Sequence, residues 1–316
     1  MPHVTLRQLQ SLLSIKRTGK ISVSAQELGL TGPAITLQLK QMEEQLGIPL
    51  FDRSREGMRP TVAGEAALRA ARDIEIRLRG LFDEIDTIRD AQSGRIAIGA
   101  VSTAKYFAPA LMAAFRAKHP GVEITLTIGN RFAIIDALRE YEIDIALMGR
   151  PPRDFGVRAQ FFGDHPLVII AAPDHPLAKR HSLSKEDLLA EPFIVRESGS
   201  GTRSSLDIFM SDVAGWTDLR HTEMTSNETI KQAVMAGMGI AFISAHTIAM
   251  ELELKRLKIL DVDGMPIRRQ WYAVSRTDRE PNPMMRAFND FLVSDGARHL
   301  PFIPTIYPEG SDRAGN

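Results

Sequence analysis

Leu30-Thr31-Gly32-Pro33-Ala34-Ile35-Thr36-Leu37-Gln38-Leu39-Lys40-Gln41-Met42-Glu43-Glu44-Gln45-Leu46-Gly47 decides the first domain. Thr31 is a strong helix N-cap, and Pro33 falls in the first turn, where a missing N–H loses no hydrogen bond. Ile35, Leu39, Met42 and Leu46 recur at helical spacing and predict one buried stripe. Thr36, Gln38, Lys40 and Gln41 are left to face elsewhere. Just upstream, Ser22 or Ser24 can cap a shorter helix running through Ala25 and Leu28, with Gly29 as the turn. Leu6, Leu9, Leu12, Leu13 and Ile15 give a helix before that one. Helix, short glycine turn, helix is the arrangement whose second helix can lie in a DNA major groove. Thr, Gln and Lys are side chains that reach base edges and phosphates. A plain three-helix packing unit would read the same way.

Moving outward, Arg53, Arg55 and Arg59 cluster in a Pro/Gly-flanked stretch after the third helix, where a wing could touch phosphate or an adjacent minor groove. Residues 1–60 hold eight basic and five acidic side chains, which leaves 31 against 34 in the remainder. The formal net charge of zero therefore hides a basic front segment. Next, Gly64, Ala67, Ala71, Ile74, Leu78, Leu81, Ile85 and Ile88 follow a strict 3-4 heptad step, small residues first and large ones later. That is a coiled-coil seam. A helix of about 27 residues spans about 40 Å at 1.5 Å per residue, enough to hold two DNA-reading heads apart. The alternative is a single helix packed on its own domain.

From Arg95 the texture changes. β-rich runs at Arg95–Val101, Val122–Ile128, Ile143–Met148, Leu167–Ala172, Phe193–Arg196, Ile240–Ile243 and Gln270–Ser275 alternate with amphipathic segments such as Phe107–Lys118. This alternation predicts α/β units with largely parallel sheets. The break falls at Gln92-Ser93-Gly94. Leu300 to Asn316 holds three prolines and a polar end, and reads as a mobile tail.

Composition excludes several functions. The chain has 316 residues and no cysteine, so thiol catalysis, Cys-ligated zinc, iron–sulfur clusters and sensing by thiol oxidation are ruled out. There is no apolar run of about 18 residues and no signal-peptide pattern at the start, so a cytoplasmic protein without membrane contact is expected. Gly237-Met238-Gly239 follows a helix and precedes a strand, the reverse of a dinucleotide fingerprint. Gly199-Ser200-Gly201-Thr202 lacks the ending of a P-loop, and no nucleophile elbow appears. His165, His175 and His181 read as loop histidines rather than a metal site. No enzyme, metal site or cofactor is expected. The competing class is an enzyme or solute-binding module with a helical oligomerisation arm.

Leu6-Arg7-Gln8-Leu9, Ala25-x-x-Leu28, Leu30-Thr31-x-Pro33-Ala34-Ile35-Thr36-x-Gln38-Leu39, Glu43-x-x-Leu46-Gly47-x-x-Leu50-Phe51-x-Arg53 and Thr61-x-Ala63-Gly64 together resemble the LysR-type transcriptional regulators. His119-Pro120, Asp174-His175-Pro176-Leu177 and Gly237-x-Gly239-Ile240-Ala241 continue the resemblance into the back half. It implies an α/β protein with an N-terminal winged helix-turn-helix (residues 1–61), a long linker helix for dimerisation (62–92), a two-lobed effector domain similar to periplasmic binding proteins (93–300) and a C-terminal tail (301–316). It also implies DNA contacts at Thr31, Pro33, Ala34, Thr36, Gln38, Lys40 and Arg53. No contact is carried onto Gly32, where the family usually has Gln, or onto Ser24. Implied partners are double-stranded promoter DNA, a homodimer or homotetramer, a small-molecule effector and, for an activator, RNA polymerase.

Val101–Pro109, Gly129-Asn130-Arg131, Met148–Pro152 and Arg196-Glu197-x-Gly199-Ser200-Gly201-Thr202-Arg203 look like the subgroup that controls carbon-fixation operons. That subgroup is similar in sensing phosphorylated metabolites or NADPH. The other reading is a LysR-type regulator of a different operon that senses an aromatic or aliphatic carboxylate. In open α/β sheets ligands bind beyond the carboxyl ends of strands, and each of these runs sits at such an end. Ser102, Thr103, Lys105, Asn130, Arg150, Gly199, Ser200, Gly201, Thr202 and Arg203 are accordingly the expected effector site, with Asn227 a weaker candidate. Lys105, Arg150 and Arg203 would supply three cations for a multiply charged ligand.

Overall fold

The computed structural model describes residues 3–54, 57–89, 93–216, 221–304 and 306, and it divides into two compact units that meet after Ile85. In the first unit, helix α1 (Leu6–Thr18) opens with a capping box between Thr5 and Gln8. Helix α2 (Ile21–Glu27) and helix α3 (Gly32–Leu46) follow. Thr31 caps α3 as its sequence demands, accepting from the Ala34 N–H.

Helix α2 departs from the expected capping. Lys20 precedes it without a side-chain cap, and Ser24 lies inside it. The Ser24 hydroxyl bonds Thr18 Oγ1 at 2.7 Å and the Lys20 carbonyl at 3.1 Å, which satisfies a buried polar group between the two helices. Leu9, Leu12, Ile15, Ile35, Leu39, Met42, Leu50 and Leu68 form the core. Each such burial contributes about 1.5–3 kcal/mol. Leu46, expected in this stripe, is 40% exposed because it lies in the last turn, beyond the facing helix.

Strands β1 (Phe51–Ser54) and β2 (Gly57–Pro60) pair antiparallel as a wing, Phe51 opposite Pro60 and Arg53 opposite Met58. Helix α4 (Val62–Arg89) starts directly against it. At Gly64 a Cβ would lie 1.9 Å from the Leu50 carbonyl oxygen, so only glycine lets the helix sit this close. Along α4 the seam changes character. Ala71 is buried in the first unit's core, whereas Ile74, Leu81 and Ile85 are 42%, 49% and 41% exposed. The side chain of Ile88, and residues Arg55 and Gln92, lie outside the described residues.

The second unit is a mixed sheet flanked by helices. Its strands are β3 (Ser93–Val101), β4 (Gly121–Gly129), β5 (Ile145–Met148), β6 (Val157–Ala171), β7 (Phe193–Arg196), β8 (His221–Met224), β9 (Ile240–Ser244), β10 (Lys258–Ile259) and β11 (Ile267–Arg276). Their order is β4-β3-β5-β11-β6-β9-β7-β8, with β10 on β6. The outer pairs β3–β4, β3–β5, β7–β8 and β7–β9 are parallel. The central pair β6–β11 is antiparallel. β11 joins β5 at Tyr272–Val274, and β6 joins β9 at Leu167–Ile170. Two parallel lobes are thus tied by two long strands that run through both.

The expected run Gln270–Ser275 is only part of the 10-residue β11, and Leu167–Ala172 covers only the last third of the 15-residue β6 and runs one residue past its end. Helices α5 (Ala108–Lys118), α6 (Arg131–Arg139) and α10 (Pro283–Asp295) cover the first lobe, and α7 (Gly201–Phe209), α8 (Asn227–Met235) and α9 (Ala249–Glu253) the second. Packing overrides the polar composition of the tail at two positions. Ile303 and Ile306 are buried against the second lobe, which anchors the start of that segment; residues 305 and 307–316 lie outside the described residues.

Candidate nucleic-acid interface and anion cleft

In the first unit, Pro33, Leu37, Lys40 and Gln41 are exposed along one side of α3. Thr31 is exposed at its start, and Arg53 is exposed on the wing. Ala34 and Thr36 are half-buried, the Thr36 hydroxyl donating back to the Gly32 carbonyl at 3.0 Å. Lys40 pairs loosely with Glu44 at 3.6 Å on the helix surface, an interaction that salt screens readily. Gln38 is held differently: its Oε1 accepts from the buried Ser11 hydroxyl of α1. It therefore bridges the two helices as well as edging the exposed face. Leu37, 56% exposed on the same side, is a further candidate whose apolar side chain gives no polar signal in the sequence.

In the second unit, the carboxyl ends of β3, β4, β5 and β7 converge on a cleft of about 770 Å³, its open mouth included. Ser102 and Thr103 follow β3. Asn130 follows β4 and caps α6, accepting from the Ala133 N–H at 2.9 Å. Gly149 and Arg150 follow β5. Ser200 caps α7, and Gly201 and Thr202 form its first turn. Ser102, Thr103, Asn130, Arg150, Ser200, Gly201 and Thr202 all line the cleft.

Lys105, Gly199 and Arg203 are not among its lining residues. The Lys105 ammonium lies 3.9 Å from Glu228. Arg203 is drawn along α7 to Asp207, 3.0 Å away. Gly199 faces the ring of Phe132, 2.7 Å from where a Cβ would stand. Asn227 is buried behind the cleft, where its Oδ1 accepts from Arg196 at 2.7 Å.

Of the three expected cations only Arg150 lines the cleft, and other residues supply the rest. Arg131, Arg150, Arg196 and Arg269 line the cleft together. Arg196 is 3% exposed and fully engaged, with Glu197 at 2.7 Å, Asn227 at 2.7 Å and the Ser102 hydroxyl at 3.2 Å. Its charge is matched, and it ties the end of β7 to the end of β3. Arg131 donates to the Arg150 carbonyl. Burial and then the neighbouring Arg150 charge pull its pKa down, a sign of cations crowded together. Among the described residues, Arg150 and Arg269 have no carboxylate partner.

His165 is not in a loop: it is a buried residue of β6, on the cleft floor. Its ring stacks on Trp271 with centroids 3.8 Å apart. Trp271 Nε1 in turn donates to His246 Nδ1 at 3.1 Å. At Gly149 a Cβ would stand 2.8 Å from His165 Nδ1, so a glycine is needed for β5 to pass the ring. Burial, then His246 and Arg269, hold the His165 pKa well below the usual histidine range. Burial lowers His246 to about 4.

Both histidines therefore stay neutral in the folded chain while the unfolded chain protonates near pH 6.5. The unfolded state then binds more protons, so stability falls as pH drops below about 6.5, by up to about 1.4 kcal/mol per pH unit for each histidine. Urea unfolding at pH 5.5 and 7.5 should show this loss, and His246→Gln should reduce it.

Among the described residues no group of three His, Asp or Glu is placed to hold a metal, and no helix is long and apolar enough to cross a membrane. A cleft with unmatched guanidinium groups, hydroxyls and a helix N-terminus is chemically an anion receptor.

Comparison with known proteins gives two family matches. Residues 6–65 match the bacterial regulatory helix-turn-helix protein, lysR family, and residues 89–297 match the LysR substrate binding domain. The chain is 58% identical over 308 residues to the HTH-type transcriptional regulator CbbR of Rhizobium meliloti (strain 1021), covering 98% of each. It is 40% identical over 296 residues to the RuBisCO operon transcriptional regulator of Allochromatium vinosum, covering 94% of this chain and 98% of that one. Among solved structures, the regulatory domain of Synechocystis PCC6803 CcmR in complex with 2-PG superposes with a TM-score of 0.58 and 36% identity, covering 63% of this chain and 95% of that one.

Proposed function

Because the chain belongs to the LysR family of DNA-binding transcriptional regulators, we propose that it controls a carbon-fixation operon in response to a small phosphorylated metabolite bound in the cleft. The assignment of the operon rests on the 58% identity with CbbR, which extends over 98% of both chains. The ligand class rests on one observation: three of the four cleft arginines, Arg131, Arg150 and Arg269, have no carboxylate within ion-pair distance among the described residues. Unmatched guanidinium groups favour phosphate, which they bind in bidentate fashion. The 2-PG held by the CcmR regulatory domain supports the same chemistry. An aromatic carboxylate would leave one or more of these cations unmatched.

Residues 1–61 are the DNA-reading head and residues 62–92 the dimerisation helix in this reading, with effector binding in 93–300. The regulator works as a cytoplasmic homo-oligomer. Thr31, Pro33, Ala34, Thr36, Lys40 and Arg53 meet promoter DNA, Gln38 through the part of its amide that Ser11 leaves open. Leu37 is placed for contact with a thymine methyl. RNA polymerase is a further partner if the regulator activates. Ligand binding shifts the equilibrium between two arrangements of the heads only to the extent that it favours one of them.

Two tests follow. Arg53→Ala combined with Thr36→Ala should weaken specific promoter binding about 10- to 1,000-fold and reduce the salt slope by about one. Unchanged binding in a gel-shift series across salt would refute the assigned face. Calorimetric titration of the full chain with 2-phosphoglycolate, ribulose bisphosphate, phosphoenolpyruvate and NADPH tests the cleft. At least one phosphorylated compound should bind, and Arg269→Gln should weaken it about tenfold or more, the loss of one charge-assisted bond. Binding of none of them would overturn the ligand class.

A further inference from the structure

Two buried polar groups on the cleft floor have no hydrogen-bond partner among the described residues: both ring nitrogens of His165 and the Nε of Arg269. They belong to residues directly opposite each other on β6 and β11, and both line the cleft. Buried polar groups are nearly always satisfied, so this pair marks a place made for something else. Arg269 Nε–H can only donate, so the missing partner is an acceptor.

The surroundings of His165 narrow this further. One face of its ring is covered by Trp271 of β11, leaving the ring edge to present its nitrogens. His246, from the segment after β9, lies behind, and Gly149 from the end of β5 passes beside Nδ1. Arg269 is the remaining charged neighbour. None of these is a carboxylate. The adjacent Asp164 is turned to Arg268, 3.8 Å away. Around the empty ring, burial, a second imidazole and a guanidinium all favour the neutral form. A neutral imidazole can offer an anion one N–H, but its other nitrogen carries a lone pair. An imidazolium offers two donors.

We infer that the cleft takes up a proton together with its anionic ligand, and that His165 receives it and becomes a charged donor to the ligand's oxygens beside Arg269. The anion reverses the local field that keeps the ring neutral, and the proton comes from solvent. The inference rests on the anion-binding reading of the cleft. It adds that ligand binding tightens as pH falls and that a dianion is preferred over a monoanion of the same shape.

Trp271 supplies a reporter at the site itself, because an imidazolium stacked on an indole quenches its emission. Trp216 and Trp271 are the two tryptophans of the chain, so full-length Trp216→Phe leaves Trp271 alone to report. Two probes are used: 2-phosphoglycolate, and inorganic sulfate, which does not titrate between pH 6 and 8. Sulfate should quench Trp271 at pH 7, and its affinity should rise toward pH 6 with a limit of tenfold per pH unit for one proton. His165→Gln in the Trp216→Phe background should abolish both the quench and the pH slope while weakening 2-phosphoglycolate about tenfold or more. Calorimetry in two buffers of different ionisation enthalpy should give proton uptake that His165→Gln removes. Sulfate binding with no quench and no pH slope overturns the inference, as does equal proton uptake in the variant; 2-phosphoglycolate binding would then leave the phosphorylated-effector reading standing. Sulfate behaving as expected while 2-phosphoglycolate fails to bind supports the proton uptake and sinks that effector reading. Binding of neither overturns both.

Discussion

Leu81→Glu combined with Ile85→Glu should separate the oligomer into monomers and lower affinity for a full promoter site by at least about 100-fold. The two side chains are 49% and 41% exposed on α4, although they sit on the strict heptad seam. Surface leucines and isoleucines at that spacing are what a partner helix covers. Within a single chain they support little, so each protomer should keep its fold and its near-native circular dichroism. Across a dimer seam, glutamates place like charges in an apolar interface, which is strongly unfavourable. DNA affinity falls with the dimer because two linked heads bind with an effective concentration that gains about 10²–10⁴ over one. Sedimentation and fluorescence anisotropy with a half-site and a full site check both parts. A variant that stayed dimeric and kept full-site affinity would assign the seam to packing within one chain. Substituting Ala71 instead disturbs the first unit's own core, since that residue is fully buried there.

Asp144→Ala carries the largest expected stability effect, a loss of about 3–5 kcal/mol. Asp144 and Arg279 are only 7% and 9% exposed and form an ion pair. The other carboxylate oxygen accepts from the Ala97 backbone N–H at 2.7 Å. Removing the carboxylate takes a close counter-ion from a buried guanidinium and leaves a strand N–H of β3 unpaired. Asp144→Asn keeps an acceptor for Ala97 and loses only the charge, so it should destabilise less. Urea unfolding of the full chain separates the two variants. A change below about 1 kcal/mol for Asp144→Ala would mean that water replaces the pair without penalty.

Much of the front segment was legible in the sequence because its signals are local. Thr31, Pro33 and the Ile35-Leu39-Met42 spacing fix α3 without reference to the rest of the chain. The stretch after α3 suggests a wing by its arginines alone, and its strands are not legible, since four-residue strands such as Phe51–Ser54, with one buried residue in four, carry no usable alternation. In the second unit, strand β8 carries no sequence signal because His221-Thr222-Glu223-Met224 is polar and mostly exposed, held by its parallel neighbour rather than by burial.

The strand ends named by the sequence border a cleft in the fold, but the arginines that line it are not all legible in the sequence. Lys105 and Arg203 lie near those ends, yet Glu228 and Asp207 capture them locally. Arg196 reads as the last residue of an apolar strand, and only the fold shows it clasped by Glu197, Asn227 and Ser102. His165 and Arg269 sit a hundred residues apart and meet only through the long antiparallel pair β6–β11. His165 reads as a loop histidine in the sequence, yet it lies in β6 with Pro166 beside it. Proline here occupies a strand interior, opposite Arg268, where the continuous burial of β6 outweighs the missing donor.

The central claim is that one chain reads a promoter and answers a phosphorylated metabolite. Footprinting the DNA upstream of the carbon-fixation operon with the full-length protein, while titrating 2-phosphoglycolate and ribulose bisphosphate, tests it most directly. The account predicts a specific, salt-sensitive footprint whose extent or half-saturation shifts as one of these ligands is added, and a shift lost in Arg269→Gln while the ligand-free footprint stays. A footprint that never forms at moderate salt, or one that forms and ignores every phosphorylated ligand, would contradict it.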